Sequence, residues 1–277
     1  MSLVWLRLAA ALYAAGLIQA ILSLFRKGES FYPLAMQLFQ IGVVLHGVSI
    51  VEHSVALRNL AANNFFETAS LCSFLFAVVY LFVQRRYQFS GLSIFVFPLI
   101  ALLTLAAAMG TPVSSWSDPR VRNIWLLAHI LLVLIGYSCL LLSAGAAVFY
   151  LLQERRVKRR RNGGGAGILG RLAEDRLPPL ETLDRLITRS MSIGFVSITV
   201  AVIAGSTWAF IETGTKWISE AKIAVSLVTW GFYLLMVFLR ISAGWRGRKA
   251  AVLSLTVLGF AALTWAAHVG LRPLIEK

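Results

Sequence analysis

NIWLLAHILLVLIGYSCLLLSAGAAVFYLLQERRVKRRRN, residues 123–162, decides the fold. Its first thirty residues carry no acidic or basic side chain apart from one histidine. A helix needs about 20 residues to cross a hydrocarbon core of about 30 Å, so this run predicts a membrane span. The six Lys and Arg packed into its last nine residues then fix the direction of crossing, because basic residues collect in cytoplasmic loops.

Working outward, apolar windows separated by charge, glycine or proline predict eight helices, at 3–25, 32–57, 66–83, 89–109, 124–152, 191–211, 221–239 and 250–271. The expected fold class is all-α: a polytopic helical membrane bundle forming one domain over 1–277, with a cytoplasmic loop at about 154–189. Alternation from the basic loop places both termini outside. The cytoplasmic side then holds Arg26 and Lys27, Arg85 and Arg86, ten Lys/Arg between Arg155 and Arg189, and Arg240, Arg246, Arg248 and Lys249, leaving eight of the 26 for the outer side. The first run follows a short head containing Arg7 and lacks a polar cleavage region, so it reads as a retained span.

The net charge of +14 in a chain that is 58% hydrophobic follows from this topology and calls for no nucleic acid. The basic run serves as a topology signal and a contact for anionic membrane lipids. GGGAG (163–167) predicts a flexible first half of the loop. Leu180, Leu183 and Ile187, at helical spacing among charges, predict a short helix on the inner membrane surface. Cys72 and Cys139 sit in apolar runs without a CxxC spacing and read as packing residues. Pro98 reads as a kink in the fourth helix. No P-loop, hydrolase elbow or carboxylate pair is present, and no paired broken helices mark a transport site.

The chemistry therefore rests on four histidines. His53 falls about one turn from the outer end of the second helix. His46, seven residues earlier, returns to nearly the same face roughly 10 Å deeper. His129 falls about a turn and a half below the outer surface in the fifth helix, and His268 near the outer end of the eighth. Ionisable groups inside a membrane tend to face a bundle interior, a cavity or a cofactor. His53 and His268 read also as terminal-turn residues reaching the interface. Without an inward cysteine or a carboxylate triad, the four histidines suit axial ligation of a non-covalent b-type haem better than a zinc site. Trp208 and Trp217 read either as interface anchors or as surfaces against a porphyrin, and Trp230, mid-helix, as packing. Arg58, Arg120, Arg122 and Lys216 are candidate partners for propionates or solvated loop charges. Glu52 and Glu67 either orient an imidazole or cap a helix.

Several segments resemble, in order, the cytochrome c assembly proteins of the CcsA/HemX type. NNFFETASLCSF (63–74) is similar to that family's asparagine, aromatic and glutamate run opening a helix. The segment 123–152 is similar to its helix with an outer-side histidine, here His129. LPPLETLDRLITRSMSIGF (177–195) resembles the linker before the sixth helix, and WRGRKAA (245–251) the last cytoplasmic turn. The synthases of the family carry WG-x-x-W-x-WD-P-K-E in an outer loop, which falls on TGTKWISEAKI (213–223). Gly214, Trp217 and Lys222 match, whereas Thr213 and Ser219 replace tryptophans and Glu220 replaces the aspartate. A membrane histidine expected in the seventh helix falls on Phe238.

The resemblance implies a haem-handling protein of c-type cytochrome biogenesis in the bacterial inner membrane. It would hold haem through His129, with His46, His53 or His268 opposite and His129 and His268 as the leading iron ligands, for an apocytochrome c or a membrane assembly partner, without itself being the haem lyase. The alternative it implies is a HemX-like accessory protein that regulates a soluble haem-biosynthesis enzyme, glutamyl-tRNA reductase.

Overall fold

A computed structural model describes residues 1–25, 31–58, 60–62, 64–87, 90–110, 124–161, 179–213 and 221–270. Among them lie eight α-helices and no strand: α1 (Ser2–Phe25), α2 (Phe31–Leu57), α3 (Phe65–Tyr87), α4 (Ser93–Met109, entered through a 3-10 turn at Ser90–Leu92), α5 (Ile124–Arg161), α6 (Leu180–Thr213), α7 (Ala221–Ile241) and α8 (Arg248–Gly270). Six of them are long and apolar enough to cross a membrane, and α4 is a shorter apolar helix. The chain is an all-α, polytopic membrane protein, as the hydropathy pattern requires.

Two helices differ from expectation. The fifth, expected to stop at 152, continues to Arg161, because arginine and lysine are good helix formers and favour a helix C-terminus. The short surface helix expected around Leu180, Leu183 and Ile187 is not separate: these residues open the 34-residue α6. Leu183, Leu186 and Ile187 are buried, which draws this amphipathic stretch into the helical packing. The GGGAG segment lies outside the described residues.

The chain divides into two compact units, Met1–Trp116 with Leu152–Pro179, and Ser117–Leu151 with Leu180–Lys277. In the first, α1 packs along α2 and α4, and α3 packs on α4. Close approach of α1 and α2 depends on Gly42, where a Cβ would come within 2.9 Å of the Tyr13 ring. Below that contact Phe39 stacks on Phe97 with centroids 4.4 Å apart, and Tyr80 meets both rings edge-on. The hydroxyls of Ser73 and Thr104 bond at 2.7 Å and join α3 to α4.

In the second unit, polar contacts link all four helices. Ser143 of α5 bonds Ser254 of α8 at 2.8 Å. Trp230 Nε1 of α7 donates to Thr199 Oγ1 of α6 at 3.0 Å while its ring stacks on Phe195, so Trp230 is a packing residue here. Thr229 and Thr264 bond between α7 and α8 at 2.5 Å. At the end where α7 gives way to α8, Arg240 forms an ion pair with Asp184 at 2.6 Å, donates to Thr188 Oγ1, and donates to the Trp245 carbonyl at 3.1 Å. Asp184 also accepts the Gly247 amide at 3.0 Å. Gly244 and Gly247 turn the chain there with φ of 62° and 63°, a conformation costly for any residue with a Cβ. Lys249 lies 5.3 Å over the Trp245 ring. The WRGRKAA turn is thus tied to the start of α6 by one carboxylate.

Arg240→Ala strands that carboxylate, which is only 20% exposed. The expected outcome is a loss on the order of 3 kcal/mol, read as a lower Tm in detergent. An unchanged Tm contradicts the assignment.

Candidate functional site

Each histidine with a described side chain sits in a different chemical setting. His46 is fully buried on α2 in the first unit. Its Nε2 lies 2.9 Å from Ser70 Oγ of α3, and its Nδ1 lies 3.4 Å from the Tyr13 hydroxyl of α1. The Tyr13 and Phe74 rings pack edge-on against it. A neutral imidazole offers one donor and one acceptor, and both are committed here.

His53, seven residues on, keeps the same face of α2, as its spacing requires. Its Nε2 lies 3.1 Å from Glu67 Oε1, with the ring 40% exposed and the glutamate 15% exposed. Glu67 stands in the first turn of α3, where its backbone N–H donates to the capping Asn64 Oδ1 at 2.9 Å. So α2 and α3 are joined by two rungs, His53 with Glu67 and, a turn further along α3, His46 with Ser70. Glu52 turns elsewhere, to the Met1 amino group at 3.6 Å. Arg58 ends α2 with a left-handed φ of 52°.

His129 belongs to the second unit. It stands in the second turn of α5, and its Nδ1–H donates to the main-chain carbonyl of Ala201 on α6 at 2.7 Å. A carbonyl can only accept, so Nδ1 carries the proton, and in the neutral ring the lone pair is then on Nε2. Histidines that bind metals almost always donate their other N–H to a carbonyl or carboxylate, which orients the ring and raises the basicity of the ligating nitrogen. The donor chemistry of His129 therefore fits an iron ligand.

His268 lies on α8 in the same unit, but its side chain is outside the described residues. Trp217, Arg120, Arg122 and Lys216 are also outside them, as is most of the 213–223 segment. Trp208 is half-buried on α6, seven residues beyond Ala201. Cys72 and Cys139 are free thiols, one in each unit. Among the described residues no group of three or more His, Cys, Asp and Glu is placed to hold a metal ion. Sequence reasoning missed the Ala201 carbonyl and Gly205, which faces the His129 ring. The one signal for them was a glycine among small residues in an otherwise apolar helix.

The fold and these side chains define a polytopic membrane protein with histidines held inside its helices. Residues 62–269 match the family described as cytochrome C assembly protein, and this covers well over half of the chain, so the chain belongs to that family. It is 30% identical over 210 residues to the cytochrome c biogenesis protein CcsA of Prochlorococcus marinus (strain MIT 9215), covering 70% of this chain and 68% of the relative. The protein of the same name from strain MIT 9312 is 27% identical over 244 residues, covering 82% and 78%. That of Heterosigma akashiwo (strain NIES-293 / 8280G21-1) is 24% identical over 237 residues, covering 76% and 73%.

His46→Ala removes a buried ring and leaves two hydroxyls without their partner. The expected outcome is a loss on the order of 2–4 kcal/mol, measured as a fall in Tm. His53→Gln, at a half-exposed position that keeps a donor for Glu67, is expected to change Tm by less than about 1 kcal/mol.

Proposed function

We propose that this chain is a haem-handling protein of c-type cytochrome biogenesis in the bacterial inner membrane, with haem as its cargo and the Nε2 of His129 as an iron ligand. The observation that carries the reading is the Nδ1–H bond to the Ala201 carbonyl, which directs the lone pair to the nitrogen furthest from the backbone. His268, on α8 of the same unit, is the candidate for the opposite axial position. His46 has both nitrogens engaged and serves the packing of α1, α2 and α3. In His53 the nitrogen further from the backbone is bonded to Glu67, leaving Nδ1, which lies beside its own Cβ and is poorly placed for a porphyrin iron. Membership of the family and likeness to proteins named for cytochrome c biogenesis support the same assignment.

The topology that goes with this reading puts the WRGRKAA turn and the basic end of α5 in the cytoplasm and His129 toward the outer face. Iron bound there would receive σ donation from the imidazole, and Trp208, on the same helix as Ala201, is the candidate surface for the porphyrin. The sequence of the 213–223 segment, with Thr213 and Ser219 at tryptophan positions, suits holding or delivery of haem to an apocytochrome c or a membrane assembly partner better than synthase activity.

Detergent-purified protein expressed under haem-replete conditions is expected to show a Soret band. His129→Ala is expected to lower haem content by more than about tenfold, since even loss of an outer-shell partner costs 10–100-fold in metal-site affinity. No Soret band in the wild type, or an undiminished one in the variant, contradicts the proposal. Co-purification of glutamyl-tRNA reductase, with no haem and no apocytochrome, selects the HemX-like regulatory reading in its place.

A further inference from the structure

Gly205 stands on α6 one turn beyond Ala201, and both meet the imidazole of His129. A Cβ added at Gly205 would lie 2.5 Å from Nδ1, 2.7 Å from Cε1 and 3.2 Å from Cγ. No unstrained contact is that short, so the ring lies against α6 only because residue 205 has no side chain. Gly42, Gly136 and Gly194 are also packed closely, against Tyr13, Ile198 and Tyr233, but among the described residues Gly205 is the one set against a histidine ring, and at Gly231 and Gly259 an added Cβ meets nothing within 4 Å. Glycine is disfavoured in a helix interior, and at 205 it buys room for one particular ring.

The acceptor is built with the same economy of parts. In a regular helix the Ala201 carbonyl receives the amide of residue 205, and a carbonyl oxygen has a second lone pair. The His129 Nδ1–H uses that second site at 2.7 Å without breaking α6, which runs unbroken from Leu180 to Thr213. A methyl group at 205 would press on Nδ1 itself and push the donor off this acceptor. The ring would then be free to take the other tautomer, with the proton on Nε2 and the lone pair turned back toward the backbone.

We infer that Gly205 is a positioning residue for the iron ligand: with the Ala201 carbonyl it seats the His129 imidazole in its Nδ1–H form and so sets how strongly Nε2 binds iron. This rests on His129 being a haem ligand, and its test separates the two claims because the tautomer is measured without haem.

The experiment is nitrogen-15 NMR of the full-length, haem-free protein in detergent, labelled at histidine, with the His129 signals assigned by their loss in His129→Asn. The wild type is expected to show a protonated Nδ1 and an unprotonated Nε2. Gly205→Ala is expected to lose that pattern, to bind added haem about tenfold or more weakly, and to raise the ferric/ferrous midpoint potential, since a less basic imidazole stabilises ferric iron less. Gly231→Ala, the control helix glycine, is expected to leave all three unchanged. Gly205→Ala with wild-type tautomer and affinity overturns the inference. If that variant does not accumulate, the wild-type spectrum decides: a protonated Nε2 on His129 overturns the inference and a protonated Nδ1 supports it. A tautomer that changes in Gly205→Ala, in a protein whose wild type takes up no haem, supports the seat and overturns the haem reading.

Discussion

Hydrocarbon offers a polar group no hydrogen bond, so every amide, hydroxyl and imidazole carried into the membrane must find its partner within the chain or bear a penalty of several kcal/mol. Helices satisfy the backbone. Two routes recur among the hydroxyls. Ser192, Ser197, Thr207 and Thr256, on exposed faces, each donate to the carbonyl four residues back and so present little polarity to lipid. Ser73 with Thr104, Ser143 with Ser254, and Thr229 with Thr264 pair between helices and fix their register. The ion pair of Arg240 and Asp184 meets the same demand where charge enters the packed interior.

The histidines obey this constraint too, and the way each satisfies it separates their roles. His46 gives up both nitrogens to side chains and becomes part of the packing between α1, α2 and α3. His53 leans on a carboxylate near the end of its helix. His129 alone among these three spends its N–H on a main-chain carbonyl, an acceptor that cannot rotate or titrate. That bond holds the ring in one plane and one tautomer, and the bare Cα of Gly205 lets the ring approach closely enough to make it. Membership of the cytochrome C assembly protein family gives this arrangement its context.

Much of the architecture could be read from hydropathy because long charge-free runs have one outcome in a bilayer. The starts and ends of α1, α2 and α7 follow the edges of those runs closely. Hydropathy failed where a helix outlasts its apolar stretch. Arg155 to Arg161 are poor membrane residues but good helical ones, so α5 continues through them. Asp184 and Arg185 resemble a break before a span, yet Asp184 is matched by Arg240, 56 residues away, a pairing that no local window reveals. The site was legible to the same degree. Depth and shared face of His46 and His53 follow from seven residues of helix, whereas the partner of each ring depends on the helix opposite. Glu67, at the start of α3, stands among the sequence's candidates to orient an imidazole and does meet His53, whereas Ser70 and the Ala201 carbonyl carry no signal of that kind.

The central claim is that an imidazole of this protein ligates haem iron. Pulsed electron paramagnetic resonance of the ferric haem complex, compared between protein grown with ordinary and with nitrogen-15 histidine, tests it most directly. A nitrogen hyperfine coupling at iron that changes on histidine labelling, and that is lost or weakened in the His129→Ala protein, is the predicted result. A spectrum insensitive to the histidine isotope, in protein that carries haem, would contradict the account.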